Sequence, residues 1–95
     1  MNVKDAVKKA IGYVADIFKS ENATNIGLEE VIFDEHKSIW EVTVGFSRPW
    51  NYEISGPFLG FQQKQEHPKR QYKIVRIDNE SGKIISIKIR ETNNE

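Results

Sequence analysis

YKIVRIDNESGKIISIKIR, residues 72–90, reads as two strands folded back on a tight turn. Val75 and Ile77 on the first arm, and Ile85, Ile87 and Ile89 on the second, alternate with charged or small polar residues. That two-residue period marks a half-buried antiparallel strand. Between the arms, Asp78-Asn79-Glu80-Ser81-Gly82 places turn formers where a reversal needs them, and Gly82 can take the positive φ of a bulged hairpin loop without a Cβ penalty. A hairpin with one apolar face needs a cover, and the rest of the chain supplies it.

From Val3 to Phe18, the apolar residues Val3, Val7, Ala10, Ile11, Val14, Ile17 and Phe18 recur at steps of three and four, drawing one stripe down an amphipathic helix. Asn2 is placed to cap it, and Asp5 in the first turn suits the positive end of the helix dipole. Leu28 to Asp34 is a short strand in which Val31 and Phe33 share a face while Leu28 and Ile32 compete for the other. After a turn at Asp34–Ser38 comes the clearest alternation of the chain, Trp40, Val42, Val44 and Phe46 against Glu41, Thr43 and Gly45, the pattern of a central strand.

Ninety-five residues support one domain with a modest core. The absence of cysteine excludes disulfides and thiolate metal sites and fits a reducing cytoplasm. The N-terminus lacks the apolar stretch of an export signal, and no run approaches the roughly 20 apolar residues that span a bilayer, so a soluble cytoplasmic protein without membrane partners is expected. A formal net charge of zero argues against a general nucleic-acid binder, whose affinity comes largely from neutralising phosphates. The charge is nevertheless uneven. Residues 1–47 carry five basic groups against eight acidic ones, whereas residues 48–76 carry six basic groups against two acidic ones. A basic middle of this kind can steer an acidic partner.

The segment after Phe46, spanning about residues 48–69, is longer than a hairpin loop needs and carries Trp50, Tyr52, Phe58 and Phe61 among basic residues. Loops beyond about 12–15 residues are uncommon unless they are functional or disordered, and aromatics argue against simple disorder. Arg48, Trp50, Tyr52, Phe58, Phe61, Lys69 and Arg70 are therefore the candidate partner-binding residues. The same aromatics could equally finish the core or a homodimer contact. Bases stacked on Trp50 or Tyr52 beside the basic groups are a lesser alternative.

No catalytic group, metal ligand or cofactor site is expected. His36 and His67 sit in turns without ligand spacing, and the pairs Glu29-Glu30 and Asp34-Glu35 point to opposite faces of extended chain rather than converging for acid–base work. No nucleophile motif or phosphate-cradling glycine loop occurs.

The order helix, strand, strand, long hairpin, strand, together with Arg76-Ile77-Asp78-Asn79-Glu80-Ser81-Gly82-Lys83-Ile84, resembles the closing hairpin of PepSY-like domains. There, a strand ending in aspartate, a turn ending in glycine and a second strand recur. The resemblance implies the wider cystatin-like arrangement of a helix wrapped by an antiparallel sheet, and a role in inhibiting or chaperoning peptidases, in a family whose members are often exported.

The expected fold is α+β: one helix over about residues 3–19, packed on a four-stranded antiparallel meander near 28–34, 39–47, 70–78 and 83–90. Its core should hold Val7, Ile11, Val14, Phe18, Trp40, Val42, Val44, Val75, Ile77, Ile85 and Ile87. The function expected is a non-enzymatic protein-binding module of inhibitor, immunity or adaptor type acting through the 48–70 hairpin loop. The alternative is a small-molecule binder or small enzyme with a pocket between helix and curved sheet. An exposed edge strand could also pair two copies.

Overall fold

The helix α1, Val3–Ile17, begins where the sequence places its cap. The Asn2 side chain accepts the Asp5 backbone N–H at 2.8 Å, and the Asp5 carboxylate accepts the Asn2 N–H at 3.4 Å. This reciprocal capping box satisfies two of the donors that a helix start leaves unpaired. Phe18 ends the helix, a 3-10 turn follows at Lys19–Glu21, and Asn22 reverses the chain in the left-handed conformation at φ 55°.

Four strands follow in a computed structural model that describes residues 1–49 and 70–90. They are β1 Thr24–Asp34, β2 Ile39–Ser47, β3 Gln71–Asp78 and β4 Ile84–Ile89, hydrogen-bonded in sequence order with every pair antiparallel. The fold is thus the expected α+β arrangement, one N-terminal helix packed on a four-stranded antiparallel meander.

Register explains which side chains reach the helix. Val42 pairs with Val31 on one side and Val75 on the other, while Trp40 lies between Phe33 and Ile77. Directly opposed residues share a face, so this row forms the inner surface. Ala6, Ala10, Val14, Val42, Val44, Phe46, Val75 and Ile77 are completely buried and form the core. Each buried Val, Ile or Phe contributes about 1.5–3 kcal/mol.

The helix turns its smallest residues to the sheet. Ala6 and Ala10, two turns and one turn before Val14, are completely buried against it, while Val7 and Ile11, expected in the core, flank the contact half-buried. Methyl-sized side chains let the helix axis sit near the strands, and the larger ones then wedge alongside.

Two bulges move residues from their expected places. In β1 the register slips between Leu28 and Glu30, leaving Glu29 as the extra residue. Leu28 therefore joins the helix side with Val31 and Phe33, which resolves its competition with Ile32, and Ile32 faces out. A second slip, near Thr24–Gly27 with Asn25 at φ 55°, lets β1 begin four residues earlier than the apolar run indicates. In β4, Ile77 pairs with Ile84 and Arg76 with Ser86, so Ile85 is the bulged residue and is 51% exposed rather than core. The helix lies over β1 and β2 and reaches β3 less, which leaves Ile89, at the far edge, exposed as well.

The β3–β4 turn is held by its own aspartate. Asp78 accepts the Ser81 N–H and the Ser81 hydroxyl, both at 2.7 Å, and its carbonyl accepts the Gly82 N–H at 2.8 Å. Gly82 sits at φ 76°, where a β-branched residue would cost on the order of 1–2 kcal/mol. Asn79 ties this turn to the neighbouring one: its N–H donates to the Ser38 carbonyl, and its side-chain oxygen accepts the Trp40 indole N–H at 2.8 Å.

The hydroxyl and then the backbone N–H of Ser81 hold the Asp78 carboxyl below its ordinary value. With the folded value depressed, the stability from Asp78 is complete above the ordinary aspartate range and disappears as pH falls through the depressed value. Asp78→Asn should lower the urea midpoint at about pH 7 and leave it near the parent's at about pH 2. An equal loss at both pH values would show that charge has no part in the turn.

Candidate functional site: a basic cleft at the end of the sheet

Arg48, just past β2, and Arg70, just before β3, stand at the two feet of the long segment, and both are tied to residues 21–29. The Arg48 guanidinium pairs with Glu21 at 2.7 Å and donates to the Gln71 side-chain oxygen. It also lies over the Phe18 and Phe46 rings, 5.6 and 5.5 Å from their centroids. These rings pack on each other with centroids 4.8 Å apart, so Arg48 roofs an aromatic pair at the helix C-terminus. A cation there complements the negative end of the dipole, which no basic residue of the helix's own last turn supplies.

Arg70 crosses the opposite face of the sheet. It donates to the Asn25 carbonyl at 2.8 Å and to the Glu29 carboxylate at 3.0 Å, spanning from β3 over β2 to β1. Gly45 permits the crossing. A Cβ at that position would lie 2.6 Å from an Arg70 guanidinium nitrogen and 2.7 Å from the Glu29 oxygen. The bulge at Glu29 aims the carboxylate that completes the pair. Arg76–Glu41, at 2.8 Å, and Arg90–Glu30, at 3.5 Å, repeat the cross-strand pattern farther along. Such half-exposed pairs contribute about 0–1 kcal/mol each, so they orient side chains more than they hold the fold.

Where β3 begins and β4 ends, a cleft of about 530 Å³ opens between Arg48, Arg70, Tyr72, Lys73, Ile89 and Arg90. Lys73 faces the helix side, opposite Val44, and its ammonium lies 5.6 Å from the centroid of the Phe18 ring that also carries Arg48. Burial, then the neighbouring Arg48 charge, hold the Lys73 pKa below its usual value, with Glu21 acting in the other direction. Guanidiniums stay protonated at any physiological pH, so the cleft offers fixed positive charge with aromatic backing, an arrangement suited to anionic groups.

Of the expected partner-binding residues, Arg48 and Arg70 meet in this cleft. Trp50, Tyr52, Phe58, Phe61 and Lys69 lie outside the described residues, as does His67. His36 is exposed in the β1–β2 turn, and among the described residues no group of three His, Asp or Glu side chains is placed to hold a metal ion. Lys73, Tyr72 and Arg90 were not singled out by the sequence. The available signal was Lys73 itself, a charged residue on the same alternating face as Val75 and Ile77.

A second concavity, about 360 Å³, runs beside the helix between Val3, Val7, Leu28 and Val31, with Lys4 and Lys8 on its rim. Its walls are almost wholly apolar. No described helix is long and apolar enough to cross a membrane. Compared with models of known families, with curated proteins and with solved structures, the chain finds no match.

The opposing influences on Lys73 make a paired expectation. Arg48→Gln should raise the Lys73 pKa towards the ordinary lysine value, whereas Glu21→Gln should lower it further, as followed by side-chain NMR titration. Movement in the same direction, or none in either variant, would contradict the electrostatic coupling of these three groups.

Proposed function

We propose that the chain is a non-enzymatic protein-binding module, of inhibitor, immunity or adaptor type, that takes an acidic surface of its partner at the 48–70 loop and at the cleft that Arg48 and Arg70 line. The observation that carries this reading is the convergence of Arg48 and Arg70, the residues bracketing the loop, with Lys73 and Arg90 in one cleft. Arginine beside aromatic rings is the composition in which binding energy concentrates at protein interfaces. Arg48 and Arg70 are each held by an ion pair to residues 21–29, which fixes their guanidiniums before a partner arrives. Guanidiniums bind and orient anions but do not accept protons, which favours recognition over chemistry.

A photo-crosslinking residue in place of Tyr72, which lines the cleft, tests the reading in cells of the native host, with the same residue at His36 as the distant control. One protein adduct should form from position 72, fall at least about tenfold on adding Arg70→Glu, and be absent from position 36. Equal adducts from both positions, or an adduct indifferent to Arg70, would contradict it.

A further inference from the structure

We propose that Lys73, beside Arg48, is the seat of a single carboxylate, an aspartate or glutamate side chain of the partner protein that enters the cleft as its anchor. The inference rests on the reading of this cleft as a partner site and names the chemistry of what enters it.

The positive side chains of the cleft are not equivalent. Arg48 is paired with Glu21, Arg70 with Glu29 and Arg90 with Glu30. Among the described residues Lys73 forms no ion pair and no hydrogen bond: it lies on the face of the Phe18 ring, with Glu21 acting on it from beyond ion-pair distance. The ring face positions the ammonium without using up its three N–H donors, which a carboxylate oxygen can accept. Arg48, over the same ring, adds a second positive charge on that side of the cleft.

Charge balance selects the ligand. Among the described residues, four cations of the cleft face three carboxylates, leaving one positive charge. One carboxylate neutralises it. A phosphate monoester, at about −1.5 to −2 near neutral pH, would leave an excess negative charge facing Glu21 and Glu29. The lowered Lys73 pKa agrees with a cation that has lost hydration and gained a like-charged neighbour, which Glu21, itself paired with Arg48, offsets only in part. A bound carboxylate restores what burial removed.

The test needs no partner. Sodium acetate is titrated into the full chain at constant ionic strength while the Lys73 and Lys88 side-chain resonances are followed by NMR, with inorganic phosphate as the second arm. Lys88, exposed on the opposite face of β4, is the internal control. Acetate should move Lys73 along a saturating curve and raise its pKa, leave Lys88 on a weak linear drift, and lose the saturating response in Arg48→Gln. Lys73→Arg should retain acetate-induced shifts at neighbouring backbone amides, whereas Lys73→Met should lose them with the fold intact by backbone NMR. Lys73 and Lys88 responding alike, or phosphate saturating Lys73 at lower concentration than acetate, would overturn the assignment. Crosslinking from position 72 that persisted in either case would leave the protein-binding reading standing and remove only its carboxylate anchor.

Discussion

The crossing of the Arg70–Glu29 pair over Gly45 is the interaction that shapes the end of the sheet. β2 is flanked on both sides, and at Gly45 its outer face has no side chain to occupy the space above it, so the Arg70–Glu29 pair lies flat across the strand. Glycine inside a strand gives up β propensity and packing, and here the close approach of a neighbour's side chain offsets that loss. On the inner face of the same end, Arg48 reaches Glu21 over the Phe18–Phe46 pair. The two guanidiniums thus grip the sheet from opposite sides, and what lies between them is the mouth of the cleft.

Magnitudes divide the labour. The core of alanines, valines, Phe46 and Ile77 supplies the stability, at kilocalories per side chain, while each ion pair supplies a fraction of one. The pairs matter by where they place charge. They set the charge of three arginines against carboxylates of the same chain, and among the described residues Lys73 is the cation of the cleft that forms no ion pair.

Much of this was legible in the sequence. Strict alternation from Trp40 to Phe46 identified β2 to the residue, because large apolar side chains on the helix face alternate with small or polar ones on the other, although that other face is buried too at Thr43, Gly45 and Ser47. Asn2 with Asp5, and Asp78 with Gly82, marked a cap and a turn whose chemistry is local and so is written locally. The misplacements share one cause. Bulges at Glu29 and Ile85 insert a residue that pairs with nothing, and a period read along one strand cannot reveal an insertion defined by its neighbour. The helix contact is similar: alanine at positions 6 and 10 has little weight in a hydrophobic stripe, although a close helix–sheet approach requires it. For the site, Arg48 and Arg70 were visible as the basic ends of an over-long segment, while Lys73 and Arg90 joined them only through the pairing of β3 with β2 and β4.

The dependence of this end of the sheet on Gly45 is measured most directly by a double-mutant cycle between Arg70→Met and Glu29→Met, run once in the parent and once in a Gly45→Ala background. The coupling between the two side chains should be about 0.5–1 kcal/mol in the parent and near zero when a methyl group occupies the crossing point. Equal coupling in both backgrounds would contradict the claim that the empty space above Gly45 is what holds the pair, and with it the mouth of the cleft, in place.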